Sequence, residues 1–230
     1  MALSTSISGV FTPQINRIVA RGEGDEQLTK LFTRVGRIQF MLLMLVLTGF
    51  VFVGEPFICA WGGEEYGAAY WIALLLIAPV TVPLIQNIGI EIQRAKNMHQ
   101  FRSKVYFCMA IGNALVSIPL GMKFGGIGCA LGTAISMVVG NGFIMNWYYQ
   151  THIGLDMRYF WKHILSIVPA MLPAVALGII AVRLHTFTGY AGVVTFAVPY
   201  AAVYAVGLYL FAMDESEKNM VRGVMRKIRR

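Results

Sequence analysis

The stretch GMKFGGIGCALGTAISMVVGNG, residues 121–142, carries seven glycines, and its Gly126-Ile127-Gly128-Cys129-Ala130-Leu131-Gly132 core comes close to a dinucleotide-binding fingerprint. Such a fingerprint works only where a strand precedes it, a helix follows it inside a βαβ unit, and an acidic residue lies about 20 positions on. Apolar runs stand on both sides instead, and Tyr148 to His152, where the acid would fall, hold none. Glycine has another use here. Gly128, Gly132, Ser136 and Gly140 recur every four residues, a small-residue stripe on one helix face with Ala130, Ala134 and Gly142 beside it. Gly121 and the Gly125-Gly126 pair suit a tight turn between antiparallel helices. The stretch therefore reads as a turn followed by a close-packing helix.

Its surroundings set the class. Of the 230 residues, 57% are hydrophobic and 13% charged, with a mean hydropathy of +0.64, against about 25% charged in an ordinary soluble domain. Too little polar surface remains to coat a soluble fold of this size, so the apolar excess must face lipid. Six stretches, near 38–58, 68–90, 104–122, 126–148, 161–182 and 188–211, are long enough to cross a hydrocarbon core of about 30 Å. Backbone hydrogen bonds must close within the bilayer, and no alternating strands of barrel type are present, so the expected fold is an all-α polytopic membrane helix bundle. The expected organisation is a cytoplasmic link over residues 1–37, a transmembrane domain over 38–211 and a basic tail over 212–230. The opening residues, MALSTSISGVFTP, lack a signal-peptide pattern and resemble the last turns of a hydrophobic helix.

The net charge of +8 falls in bursts between apolar runs and not along one face, which argues against nucleic acid. Seventeen Lys and Arg residues lie in the N-terminal segment, alternate connections and tail; only Lys123 and Arg183 lie in the others. This asymmetry places both termini in the cytoplasm. Trp61, Tyr66, Tyr70 and Trp71 suit the outer aromatic belt, and Trp147, Tyr148, Tyr149, Tyr159 and Trp161 the inner one. Two cytoplasmic segments look like interfacial helices. The first follows a Thr12-Pro13 helix-start signal and a break at Gly22-Glu23-Gly24, with Asp25 as cap and Leu28, Leu31, Phe32 and Val35 on one face. The second is the tail, where Met220, Val221, Val224, Met225 and Ile228 alternate with basic residues.

Polar groups inside apolar spans are costly unless they face a cavity or a partner. Asn87, Glu91 and Arg94 stack at i, i+4, i+7 at the cytoplasmic end of the second span; Asn113 lies in the third, Asn141 and Asn146 in the fourth. Asn87, Glu91, Arg94, Asn113 and Asn141 are the candidate lining of a substrate path, although helix-to-helix hydrogen bonds would explain each of them as well. Prolines 79, 83, 119, 169, 173 and 199 free backbone carbonyls within or beside the spans. Cys59, Cys108 and Cys129 are dispersed in apolar sequence, so neither a disulfide framework nor a metal site is expected. His152, Asp156 and His163 share one loop but match no catalytic pattern, so no enzymatic activity and no cofactor are expected.

Three stretches carry a family resemblance. FTPQINRIVARGEGDEQLTKLFTRVGRIQFMLL, residues 11–43, resembles the Pro-containing cytoplasmic link and following helix of the polysaccharide biosynthesis flippases, in the multidrug/oligosaccharidyl-lipid/polysaccharide exporter superfamily. Residues 90–136 are similar to that family's basic loop, asparagine-bearing helix and Gly-rich turn, and residues 146–162 to its next cytoplasmic link. The resemblance implies the C-terminal lobe of a two-lobed transporter that moves an undecaprenyl-linked oligosaccharide across the bacterial inner membrane, working with a first lobe. Cation-coupled drug export, or a non-transporting membrane fragment, are the alternatives.

Overall fold

The computed structural model describes residues 2–22, 24–185, 187–215, 217–219 and 222. Among them there are helices and turns and no strand. The described residues form, in order, α1 (Ala2–Arg21), α2 (Asp25–Gly62), α3 (Ala69–Ile85), α4 (Ile88–Ala95), α5 (Gln100–Met137), α6 (Met145–Tyr148), α7 (Met157–Leu165), α8 (Val168–Leu184) and α9 (Gly189–Phe211). A 3-10 turn, Glu64–Tyr66, separates α2 from α3, and π-helical segments Val138–Ile144 and Tyr149–Ile153 flank α6. Among the described residues five helical runs are long and apolar enough to cross a membrane: 25–62, 69–95, 100–153, 157–184 and 189–211.

The third run holds 54 residues. At 1.5 Å per residue it would reach about 81 Å if straight, far beyond one bilayer core. It reverses at Gly125, whose φ of 60° and ψ of −140° lie outside the helical region and suit a residue without Cβ. Packing across the turn confirms the antiparallel hairpin. As one leg advances the other recedes: Leu120 faces Gly128, Ser117 faces Gly132, and Met109 faces Gly140. The five runs thus make six legs of membrane length.

Three glycines of the small-residue stripe lie in this seam. A Cβ on Gly132 would come 2.8 Å from the Ser117 Cα, and one on Gly128 would collide with the Leu120 carbonyl, 2.9 Å from the Gly121 nitrogen. Backbone cannot move aside as a side-chain tip can, so both positions require glycine. Ser136, the fourth member, is half-buried in the same leg. Similar approaches close α8 and α9: Gly178 lies under the Phe52 ring, and a Cβ on Gly207 would be 2.6 Å from the Ala170 carbonyl oxygen.

The base of the bundle departs from the expected surface helices. α1 runs through Pro13 from Ala2 onward, so Thr12-Pro13 is no helix start. Its buried serines tie it to the bundle: the Ser4 hydroxyl donates to the Leu84 carbonyl at 2.8 Å, and the Gln39 amide donates to the Ser4 carbonyl and the Ser8 hydroxyl at 3.0 and 3.1 Å. Gly24, not Asp25, stands at the N-cap of α2, and the Asp25 carboxylate accepts from Lys96 instead. α2 then continues unbroken to Gly62, through the boundary between residues 37 and 38. Leu28, Leu31, Phe32 and Val35 are buried in protein and do not lie on a membrane surface. Phe32 stacks obliquely on Phe160 of α7 and Tyr149, with ring centroids 4.7 and 5.7 Å apart. The amphipathic pattern predicted the buried face correctly and its cover wrongly, because periodicity does not say what covers an apolar face. The amphipathic pattern of the tail lies outside the described residues.

Candidate functional site

The five path candidates separate into two places. Glu91 and Arg94 form an ion pair at 2.8 Å, one turn apart on α4, with the Arg94 side chain largely exposed. Asn87 stands half-buried at the N-cap of that helix. Asn113 and Asn141 belong to the hairpin seam. The Asn113 carbonyl oxygen accepts from Ser117 at 2.7 Å and from Thr133 at 3.3 Å, joining the two legs. Asn141, 4% exposed, accepts from the Tyr106 hydroxyl at 3.2 Å across the same seam.

Residues outside the candidate set complete the network. Asn146 is its centre: its amide donates to the Asn141 and Gly142 carbonyls, both at 2.8 Å, and its oxygen accepts from Gln86 at 3.0 Å and Trp161 at 2.9 Å. One side chain thereby joins the end of α3, the hairpin and α7. Both carbonyls belong to the π-helical segment Val138–Ile144, so the Asn146 amide ties that segment to the residues after it. Arg102 extends the chain of contacts towards the basic end. It donates to the Tyr149 hydroxyl at 3.1 Å and to the Tyr106 hydroxyl, with its guanidinium 4.9 Å from the Tyr106 ring centre. No sequence signal distinguished Arg102 from its neighbours in the basic loop.

A second tie forms at the same end. Arg37, 8% exposed, holds the Glu217 carboxylate through two guanidinium hydrogen bonds of 2.9 and 3.0 Å. It also donates to the His163 and Ala212 carbonyls at 3.0 and 2.7 Å. Asp214 and Glu217 satisfy each other's backbone amides reciprocally, at 2.9 and 2.7 Å. The Asp-x-x-Glu spacing of a capping box was the available signal for this arrangement. In the sequence Arg37 is one of the seventeen basic residues whose distribution sets orientation.

Asp156 has a structural role: it caps α7, accepting from the Arg158 and Tyr159 amides at 2.9 and 3.0 Å. The His163 ring nitrogen lies 2.8 Å from the Tyr159 carbonyl oxygen, and that of His152 lies 2.7 Å from the Thr151 hydroxyl. Among the described residues no three His, Cys, Asp or Glu side chains gather where they could hold a metal ion. Five surface grooves of about 280 to 590 Å3 are lined by other residues than the five path candidates.

The three stretches that carry the family resemblance meet at one end of the bundle. Lys96, in the basic loop, bonds both Asp25 in the first stretch and the Ile153 carbonyl in the third, the latter at 2.7 Å. The Asp156 amide donates to the Thr29 hydroxyl at 3.1 Å. Gly36 leaves room for the Phe160 ring, since a Cβ there would lie 2.6 Å from it, and Gly89 makes the same room for Tyr149. Gly154, at φ 83°, turns the chain against Asp25. No family model, curated protein or solved structure matches the chain.

Proposed function

We infer that the chain is a helical lobe of a lipid-linked oligosaccharide flippase used in surface polysaccharide biosynthesis. In this reading it sits in the bacterial inner membrane with both termini cytoplasmic and moves an undecaprenyl-linked oligosaccharide between leaflets together with a complementary first lobe. It carries out no covalent chemistry. The observation that supports this reading is the convergence just described: segments 11–43, 90–136 and 146–162, separated in sequence and similar to successive parts of one family, interlock through Lys96, Thr29, Phe32 and Gly36.

The hairpin fits the same function. Rigid-body movement of packed elements is one route to alternating exposure, and the Asn113–Ser117–Thr133 contacts with the glycine seam bind the two legs of residues 100–153 into one unit. The test is a flipping assay in sealed vesicles with a fluorescent undecaprenyl-linked glycan. The chain with its complementary lobe is expected to move the glycan to the opposite leaflet, and the chain alone is not. Glycan that stays in its original leaflet with both lobes present would overturn the reading; gradient-driven drug efflux without glycan movement would assign the chain to the exporter branch.

A further inference from the structure

The membrane-length run of residues 157–184 begins with α7, and its lysines and arginines stand only at its two ends. Arg158 and Lys162 lie in its first two turns, and the next is Arg183 at the far end. α7 buries Met157, Phe160 and Ile164 in the base, while Arg158, Lys162 and Leu165 are exposed on the opposite face at helical spacing. The protein engages neither cation. Their side chains make no hydrogen bond, ion pair or ring contact among the described residues. Asp156, the acid beside them in sequence, is occupied by the Arg158 and Tyr159 amides at 2.9 and 3.0 Å.

Their spacing suits a shared anion. Side chains four apart on a helix are neighbours, with Cβ atoms about 5–6 Å apart, and like charges at that spacing repel. Both can reach a single phosphate, the arginine through its planar fork and the lysine as a compact point charge. An anion held between them replaces the repulsion with two attractions.

The surface next to the pair narrows the ligand. Leu165 of α7 and Leu172 of α8 are 60% and 59% exposed, and Ile179 continues the apolar surface further along α8. On a run of membrane length such a surface faces lipid tails, so the cations at its edge stand at headgroup depth. Basic residues clustered at that depth suit anionic headgroups. A soluble anion would leave the adjoining apolar surface unused.

We propose that Arg158 and Lys162 bind the phosphate of an anionic phospholipid whose acyl chain lies along Leu165 and Leu172. The site lies on α7, apart from the path candidates on α4 and the hairpin, and does not rest on the flippase reading.

The test is native mass spectrometry of the purified chain in detergent, titrated with phosphatidylglycerol, with phosphatidylcholine and with inorganic phosphate. Phosphatidylglycerol is expected to bind at least about tenfold more tightly than phosphatidylcholine, and Arg158→Gln/Lys162→Gln should weaken it at least about fivefold. Arg17→Gln/Lys104→Gln, which removes two exposed cations from α1 and α5, should leave it unchanged. The melting temperature of the lipid-free chain should stay the same or rise in Arg158→Gln/Lys162→Gln, because that variant loses only a repulsion. The proposal is overturned if both double variants weaken binding alike, if phosphatidylcholine binds as tightly, or if inorganic phosphate displaces the lipid. A lower melting temperature, or failure to fold, in Arg158→Gln/Lys162→Gln would overturn it too, by showing that the fold itself uses the pair.

Discussion

The base of the bundle and the 100–153 hairpin are held together by different physics. At the base, large side chains are fully enclosed: Phe32, Tyr149, Phe160, Ile88 and Ile92 are at most 1% exposed. In the hairpin's α5, from Gln100 to Met137, only Val105, Gly128, Ala130 and Gly132 are buried. Water at the base makes burial of apolar area favourable, by about 1.5–3 kcal/mol for a large side chain. Lipid around the hairpin removes that driving force, because a leucine is as well placed against a tail as against another helix. The hairpin therefore relies on backbone approach through glycine and on hydroxyl and amide contacts. The bundle is built as a protein core at one end and as a packed membrane seam along the hairpin.

That contrast can be broken most severely in the seam. Gly132→Leu drives a side chain into the Ser117 backbone, and the expected outcome is loss of the folded protein in detergent, read as aggregation on size-exclusion chromatography. Gly112→Leu, at a glycine with open space around it, should elute as the wild type does. Phe32→Ala removes the ring between Phe160 and Tyr149, and should lower stability by about 3–5 kcal/mol in equilibrium unfolding. A loss below about 1 kcal/mol would show that the base is not packed as a core.

Asn146→Leu tests the junction between the two regions. It leaves the Gln86 amide and the Trp161 indole N–H without the Asn146 oxygen, removes the amide's bonds to the Asn141 and Gly142 carbonyls, and should cost about 1–3 kcal/mol. The tryptophan emission should shift as Trp161 loses its hydrogen bond. The smallest effect is expected from Thr133→Val in the seam. Interhelical hydrogen bonds in membranes average about 0.6 kcal/mol, so removing the contact with Asn113 should change stability by no more than that.

Much of the architecture was legible in the sequence. The apolar runs set the spans, and the four-residue recurrence of Gly128, Gly132 and Gly140 set the face that now meets Leu120, Ser117 and Met109. Gly121 and the Gly125-Gly126 pair pointed to a turn between the third and fourth spans, and the chain reverses at Gly125. The base was harder to read. Leu28, Leu31, Phe32 and Val35 announce an apolar face, but a membrane surface and a protein neighbour demand the same pattern. Polar positions were hardest. Asn113 and Asn141 looked equally suited to a path or to helix contacts, and their partners Thr133 and Tyr106 lie 20 and 35 residues away. Glu217 and Arg37, 180 residues apart, give no local hint of each other.

The central structural claim is that residues 100–153 form a hairpin with its turn at Gly125 on the side opposite the base. Single cysteines at positions 99 and 123, made as His99→Cys and Lys123→Cys with Cys59, Cys108 and Cys129 replaced by alanine, report it in intact cells exposed to a membrane-impermeant thiol reagent. The account predicts labelling at position 123 without permeabilisation and at position 99 only after it. Equal labelling of both from the outside would contradict the hairpin.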